Sequence, residues 1–491
     1  MSEGFDVIVV GAGSAGCVMA SRLAEDPSRS VLLLEAGPDR SGAISLALRD
    51  GFALPRGADW PDDWGYTTEP PTGGDPMPLR RGKFVGGTSW LTRFAVRGSP
   101  ADFDGWAARG MRGWSFDEVL PFFRRVERDL EFGAAPWHGD AGPLPITRYP
   151  THERAPIHAA CVEALAASGF QRVGDMNRPT ALGVGPMPMS SLDGGRVSAA
   201  DAYLEPGHRP GNLVILPNSQ VATIDIRAGA ARGVTLLDGT AIAGDQVIVC
   251  AGTYGSPALL LRSGIGPAAE LAGLGLAVVA DLPGVGSNLA DHPAVEAETG
   301  WSGTAPEAGQ LHSIASWRSA VAGPDDSPDM LFWVADPADE PAFTIECLLM
   351  RPHGRGRVTL RSADPADPPR ITLPGLEAAD VLRLGDAVTR AHEVAMRPEM
   401  RALCAATPEP PPRGLAALRA WVLENRYSVP HVVGTCAMGG SPADGAVVDS
   451  DASVHGVERL RVVDASILPE PPSGFPNLVT MMVAERLAAS I

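Results

Sequence analysis

The chain has 491 residues, 45% of them hydrophobic and 20% charged, with a formal net charge of −18. That length exceeds what one simple core serves and predicts two domains. The acidic balance argues against a nucleic-acid or anionic-membrane partner, since either needs a basic face, and no apolar run reaches the ~18 residues of a membrane span.

The N-terminus runs from MSEG straight into a strand pattern, without a basic leader, so no signal peptide is expected. Cys17, Cys161, Cys250, Cys347, Cys404 and Cys436 form no CxxC pair. Reduced thiols in a cytoplasmic protein, with neither a zinc site nor a disulfide framework, are the simplest expectation.

The first forty residues are the most legible. Asp6 to Val10 is an apolar, β-branched run, as in a strand buried on both faces. Gly11-x-Gly13-x-x-Gly16 follows, then an apolar helical face through Val18, Met19 and Leu23, then a second strand, SVLLLE, ending in Glu35. Strand, glycine turn, helix, strand and acidic residue in that register predict dinucleotide binding. The glycines let backbone approach a pyrophosphate at the helix N-terminus, where free N–H groups favour an anion. Glu35 then accepts from a ribose hydroxyl. Two later strands, ending at Ala251 in DQVIVCAGTYGSPALL and at Asp464 in ERLRVVDASILP, return to the cofactor late in the chain. Such a return favours FAD over NAD, whose domain is normally one continuous block.

From RGKFVGGTSWLTRFAVRGSPADFDGW (81–106) onward, the chain resembles the glucose–methanol–choline (GMC) oxidoreductases. GTYGSPALLLRSGIG (252–266), LPGVGSNLADH (282–292), GRGRVTLRSADPADPPRI (354–371), HVVGTCAMG (431–439) and VVDASILPEPPSGFPNLVTMMVAERLA (462–488) follow in that family's order. The resemblance implies an α/β fold: an FAD-binding dinucleotide fold with a mostly parallel sheet, interleaved with an α+β substrate domain built on an antiparallel sheet. The FAD domain is expected over 1–145, 190–296 and 430–491, and the substrate domain over 146–189 and 297–429. Pro-rich loops at 69–78 and 407–414 lie near the proposed edges.

The resemblance also assigns roles. His431, opening H-x-x-G-T, is the expected catalytic base, with Asn477 of FPNLVT as its partner. Imidazole, with a pKa of about 6.5, takes a hydroxyl proton at neutral pH, and an amide donor beside the developing negative charge contributes about 2–4 kcal/mol. Cofactor contacts are expected from Gly11, Gly13, Ser14, Ala15, Gly16, Glu35 and Ala36 at the ADP end, and from Val221 beside the adenine. Gly87, Thr88, Ala251, Asp464, Ala465 and Leu478 are expected along the ribityl and flavin portion. His292 and His138 are read as structural, and no histidine spacing suggests a metal.

Two departures from the family pattern stand out. GGTSWLTRFAVRG lacks the usual Asn and inserts Trp90 and Arg93 among small residues. It also has no histidine between 82 and 101 to which a flavin could be linked, so FAD is expected to be non-covalent. Phe475-Pro476 replaces a common polar pair before Asn477 and is read as packing. The expected reaction is oxidation of a small-molecule alcohol, an aromatic or pyridoxine-like primary alcohol being favoured, with O₂ or another electron acceptor. Choline-like and sugar-like alcohols stay open, as does hydroxynitrile lyase-type cleavage on the same scaffold. Trp301, His312, Trp317, Phe332, Trp333 and Phe343 are candidate pocket residues, each more in keeping with core. The oligomeric state is left open.

Overall fold

Phe5–Val10 forms a strand whose last four residues are buried, and its neighbours on both sides, Val31–Leu34 and Ala241–Val249, run parallel to it. A strand covered on both faces needs no polar alternation, which is why FDVIVV and VLLL read as apolar runs. The computed structural model describes residues 4–40, 62–69, 75–149, 156–205, 210–300, 310–336, 342–404 and 407–491. Leu213–Leu216, Val31–Leu34, Phe5–Val10 and Ala241–Val249 lie in that spatial order, all parallel. The C-terminal part of Ala241–Val249 then pairs in parallel with Leu460–Val462, returning from the end of the chain. Its N-terminal part pairs antiparallel with Ala230–Leu236, beyond which lies Val221–Arg227. The seven-stranded sheet is therefore mixed and mostly parallel, and is assembled from three separate stretches of sequence.

A six-stranded sheet, antiparallel throughout, has the order Tyr427–Ser428, Pro293–Gly300, Ala342–Leu349, Met330–Asp336, Gln310–Trp317, Gly183–Pro186. One face packs Val295, Phe332 and Ile345 on the helices Pro156–Ala167 and Ala378–Ala395. The other turns Ala294, Leu331, Trp333 and Leu348 toward Phe94 and Phe475. Strand Pro293–Gly300 crosses the boundary expected at 296/297. A four-stranded sheet of Glu127–Asp129, Leu144–Thr147, Met189–Leu192 and Gly195–Arg196 takes strands from both sides of the boundaries expected at 145/146 and 189/190.

Helices Ser14–Leu23 and Pro476–Ala488 lie side by side with their N-termini together. Ser14 Oγ donates to Asn477 Oδ1 at 2.7 Å, and two turns further along Arg22 Nε donates to Glu485 Oε1 at 2.9 Å. Glu485 is fully buried and also accepts from the Tyr203 hydroxyl at 2.7 Å. A buried carboxylate in this seam fixes the relative height of the two helices, because any slip leaves a charge unpaired.

The fold also encloses a buried ionic cluster. Arg97 Nη2 meets Glu127 Oε1 at 2.7 Å, His138 bridges Glu127 (2.8 Å) and Asp175 (3.0 Å), and Arg148 donates to Asp175 at 3.2 Å. Glu127, Asp129 and His138 are close enough together to hold a cation, a proximity that sequence spacing did not reveal, but Arg97 and Arg148 already supply positive charge there. Burial opposes charge on His138, yet its hydrogen bonds to Asp175 and Glu127 outweigh burial and raise its pKa. A raised folded-state pKa contributes stability that is fully present below the unfolded value of about 6.5 and is lost as pH rises through the folded value. The melting temperature is therefore expected to fall over that alkaline-going window in wild type, and to be flatter there in His138→Gln, as a thermal-shift series against pH would show. Asp175, held down to about 2 against its burial by His138 and Trp137, acts in the opposite window. Its contribution is present above its ordinary value and is lost as pH falls toward about 2.

Candidate active site

The glycine turn is shaped by close approach. A Cβ on Gly16 would stand 1.8 Å from Gly11 O, and one on Gly11, whose φ is +100°, 2.6 Å from Cys250 O. Gly13 differs, with nothing within 4 Å of its Cβ position, so its side of the turn is open. Ala15 is buried beneath the turn. The buried Glu35 carboxylate accepts from Ala12 N–H through Oε2 and from Gly37 N–H through Oε1, both at 2.9 Å. Burial raises its pKa against these hydrogen bonds. Each oxygen keeps a lone pair for a ribose hydroxyl. Ala36 follows it, half-buried, and Ser219 N–H donates to Glu35 O at 2.7 Å, so that Val221 begins its strand beside this acidic end.

The second glycine loop closes over the first. Gly86 N–H donates to Ala12 O at 2.7 Å, and a Cβ on Gly87 would lie 3.0 Å from Gly13 Cα. Thr88 Oγ1 accepts from Gly82 N–H. The inserted Trp90 and Arg93 are both buried, with Trp90 filling the space over Gly86, where a Cβ would come within 2.3 Å of the indole nitrogen. Asp464 is buried and committed to the protein: Gly252 N–H (2.8 Å) and Ser256 Oγ (2.5 Å) donate to one oxygen, Ser466 N–H (2.8 Å) to the other. It thereby locks the returning strand to helix Gly252–Arg262, which starts after Ala251. Ala465 O accepts from Gly434 N–H, and Leu478 is core.

These residues fit a dinucleotide. Two parallel helix N-termini side by side place two positive dipole ends together, which is unfavourable until an anion lies between them. Ser14 donates to Asn477 Oδ1, leaving the Asn477 amide hydrogens for such an anion.

His431 stands at the junction of this half with the antiparallel sheet. Segments 288–292 and 429–436 pair through Ala290 and Val433. Gly434 permits that approach: its φ is +96°, and a Cβ there would lie 2.5 Å from Asn288 O. The His431 N–H donates to Asp291 Oδ1 at 2.7 Å, and the same oxygen accepts from His292 N–H at 2.8 Å. The ring is half-buried; lost solvation first, then the neighbouring His292 and the positive Arg81, lower the His431 pKa well below the usual imidazole value, which favours a neutral ring with a lone pair to accept a proton. Phe475 lies against it, centroids 4.7 Å apart, and Phe94 and Trp333 complete an aromatic wall around Phe475.

No hydrogen bond joins Asn477 to His431. Pro476 starts the helix, which puts Asn477 in its first turn against Ser14, while the Phe475 ring takes the place beside the imidazole. The polar group against His431 is His292, with the two Nδ1 atoms 3.1 Å apart. Sequence analysis took His292 as structural and missed this contact, whose only signal was NLADH itself. Of the candidate pocket residues, Trp333 belongs to the wall around Phe475. Trp317, Phe332 and Phe343 pack on the opposite face of the sheet, His312 stacks between Tyr149 and His158, and Trp301 lies outside the described residues. No described helix is long and apolar enough to cross a membrane.

Two family models, both described as GMC oxidoreductase, match residues 5–294 and 352–484. An oxygen-dependent choline dehydrogenase of Ectopseudomonas mendocina is 34% identical over 100% of this chain and 94% of its own. A 5-(hydroxymethyl)furfural oxidase of Methylovorus sp. is 34% identical over 99% and 98%. Among solved structures, pyridoxine 4-oxidase from Mesorbium loti superposes with a TM-score of 0.92 at 31% identity, over 99% of both chains. The matched segments contain both glycine loops, Glu35, His431 and Asn477, and they make the protein an FAD-dependent oxidoreductase. It belongs to the GMC oxidoreductase family.

Proposed function

We propose that the protein oxidises the CH–OH group of a small primary alcohol to the aldehyde, with FAD held non-covalently and O₂ or another acceptor completing the cycle. When bound, FAD supplies the hydride acceptor, its N5. His431 takes the hydroxyl proton, so that the carbinol carbon can release its hydrogen with both electrons. Gly11, Gly13, Ser14 and the first turn of helix Pro476–Ala488 hold the pyrophosphate, and Glu35 holds the ribose. Asn477 serves this cofactor end rather than pairing with the base. Phe475, Phe94 and Trp333 exclude water and favour a flat, apolar substrate body. In the same reading the segments 1–145, 190–296 and 430–491 form most of the cofactor unit, with strand Pro293–Gly300 given over to the antiparallel sheet.

The observation that carries this proposal is the placement of His431, its imidazole half-buried against an aromatic wall where the dinucleotide half meets the sheet. The substrates named for the relatives above, choline, 5-(hydroxymethyl)furfural and pyridoxine, each bear a primary alcohol, which supports the substrate class. Because the His431 pKa is depressed, flavin reduction is expected to stay constant with pH down through the ordinary imidazole range and to fall only in more acid solution. The test is to mix the yellow protein anaerobically with aromatic, heteroaromatic, cationic and sugar alcohols and follow the flavin absorbance. Bleaching by one class supports the reading. A flavin that stays oxidised across the panel, with cyanohydrins cleaved, favours the lyase alternative.

A further inference from the structure

The contact between His431 and His292 has more content than proximity. Ala290 and Val433 exchange both backbone hydrogen bonds, at 3.0 and 2.9 Å, and Val429 N–H donates to His292 O at 3.1 Å. That pairing sets the imidazoles edge to face, centroids 5.2 Å apart at 89°, with Nδ1 against Nδ1 at 3.1 Å. Two ring nitrogens at that distance cannot both carry a proton or both lack one, so one donates and the other accepts.

The surroundings of His292 decide which. Its ring is fully buried, and burial, reinforced by the Arg351 guanidinium, holds its pKa down to about 3, so it carries one ring proton only. Nδ1 is turned to His431, Nε2 is buried with no hydrogen-bond partner, and the backbone carbonyls of Pro472 and Met350 lie against the ring. Carbonyl oxygens only accept, so the proton belongs on Nε2, and Nδ1 presents a lone pair to His431. The ring proton of His431 then resides on its Nδ1, and its Nε2 is bare. The other charged groups around the pair, Arg81 and the buried Asp291, act on the ring and on the backbone.

We propose that His292 is a positioning residue: by accepting the Nδ1–H of His431 it fixes the tautomer whose Nε2 is free to take the substrate proton. After that transfer the same hydrogen bond holds an imidazolium, which strengthens it. The proposal rests on the reading of His431 as base.

Two measurements test it. In holoprotein labelled with ¹⁵N-histidine, the ring-nitrogen shifts of His431 are expected to report an Nδ1–H tautomer; an Nε2–H tautomer overturns the proposal. Anaerobic flavin reduction is then compared in His292→Asn, whose Oδ1 can replace the lone pair of Nδ1, and in His292→Leu, which has no acceptor. His292→Leu is expected to slow reduction by about 10- to 100-fold, by analogy with residues that orient metal-binding histidines, with flavin content and substrate affinity retained, and His292→Asn to recover most of the rate. A rate unchanged in both variants, or equally lost in both, contradicts an acceptor role. A normal rate in His431→Ala would instead overturn the base itself, so the two failures are distinguishable.

Discussion

His431→Ala is expected to purify yellow and to reduce its flavin about 10²- to 10⁴-fold more slowly than wild type, the range that a positioned general base contributes. FAD should stay bound because the contacts proposed for the dinucleotide come from elsewhere: the turn at Gly11–Gly16, the Glu35 carboxylate with its two backbone donors, and the paired helix N-termini. The fold should survive too, since Asp291 holds residue 431 through the backbone N–H, which alanine keeps. What disappears is the imidazole between Phe475 and His292, leaving a cavity and one unpaired buried nitrogen, a cost of about 1–3 kcal/mol. Stopped-flow absorbance, with the melting temperature as control, separates these effects. Wild-type reduction rates in the variant would remove His431 from the chemistry.

Gly16→Ala should have the largest effect on the cofactor. The added methyl would lie 1.8 Å from Gly11 O, a backbone atom of the turn itself, so the helix must move away from the strand that precedes it. Overpacking of this kind costs about 1–3 kcal/mol, and the displacement carries the N-terminal N–H groups away from the pyrophosphate. The variant is expected to emerge colourless, with FAD affinity reduced by about two orders of magnitude or more and a lowered melting temperature as apoprotein. Gly13→Ala is the control, because its methyl meets nothing within 4 Å. It too should weaken FAD, by occupying cofactor space, but with the apoprotein as stable as wild type. Tight flavin in Gly16→Ala would contradict the packing account.

The cofactor half was readable because its physics is local. A pyrophosphate needs glycines at fixed offsets, a helix N-terminus and an acidic residue one strand later, all within about forty residues of sequence. The parallel strands announced themselves as unalternating apolar runs, and the late return of Leu460–Val462 was legible in ERLRVVDASILP. The substrate side was much less legible. Whether Trp333 or Phe332 faces the site depends on sheet register, and adjacent residues on one strand point to opposite faces. Asn477 shows the same limit: the resemblance made it the partner of His431, but the turn at Phe475-Pro476 directs it to Ser14. The His292–His431 contact and the cluster around His138 join residues far apart in sequence, and only the folded chain brings them together.

Whether this site removes hydrogen from a carbinol carbon can be read from a single anaerobic turnover. The alcohol chosen from the panel would be prepared with deuterium in place of both carbinol hydrogens and compared with the unlabelled form by stopped-flow. One aldehyde is expected per flavin bleached, with bleaching several-fold slower for the deuterated alcohol, because the C–H bond breaks in that step. Substrate consumed while the flavin stays yellow, or bleaching at the same rate for both forms when binding is fast, would contradict it.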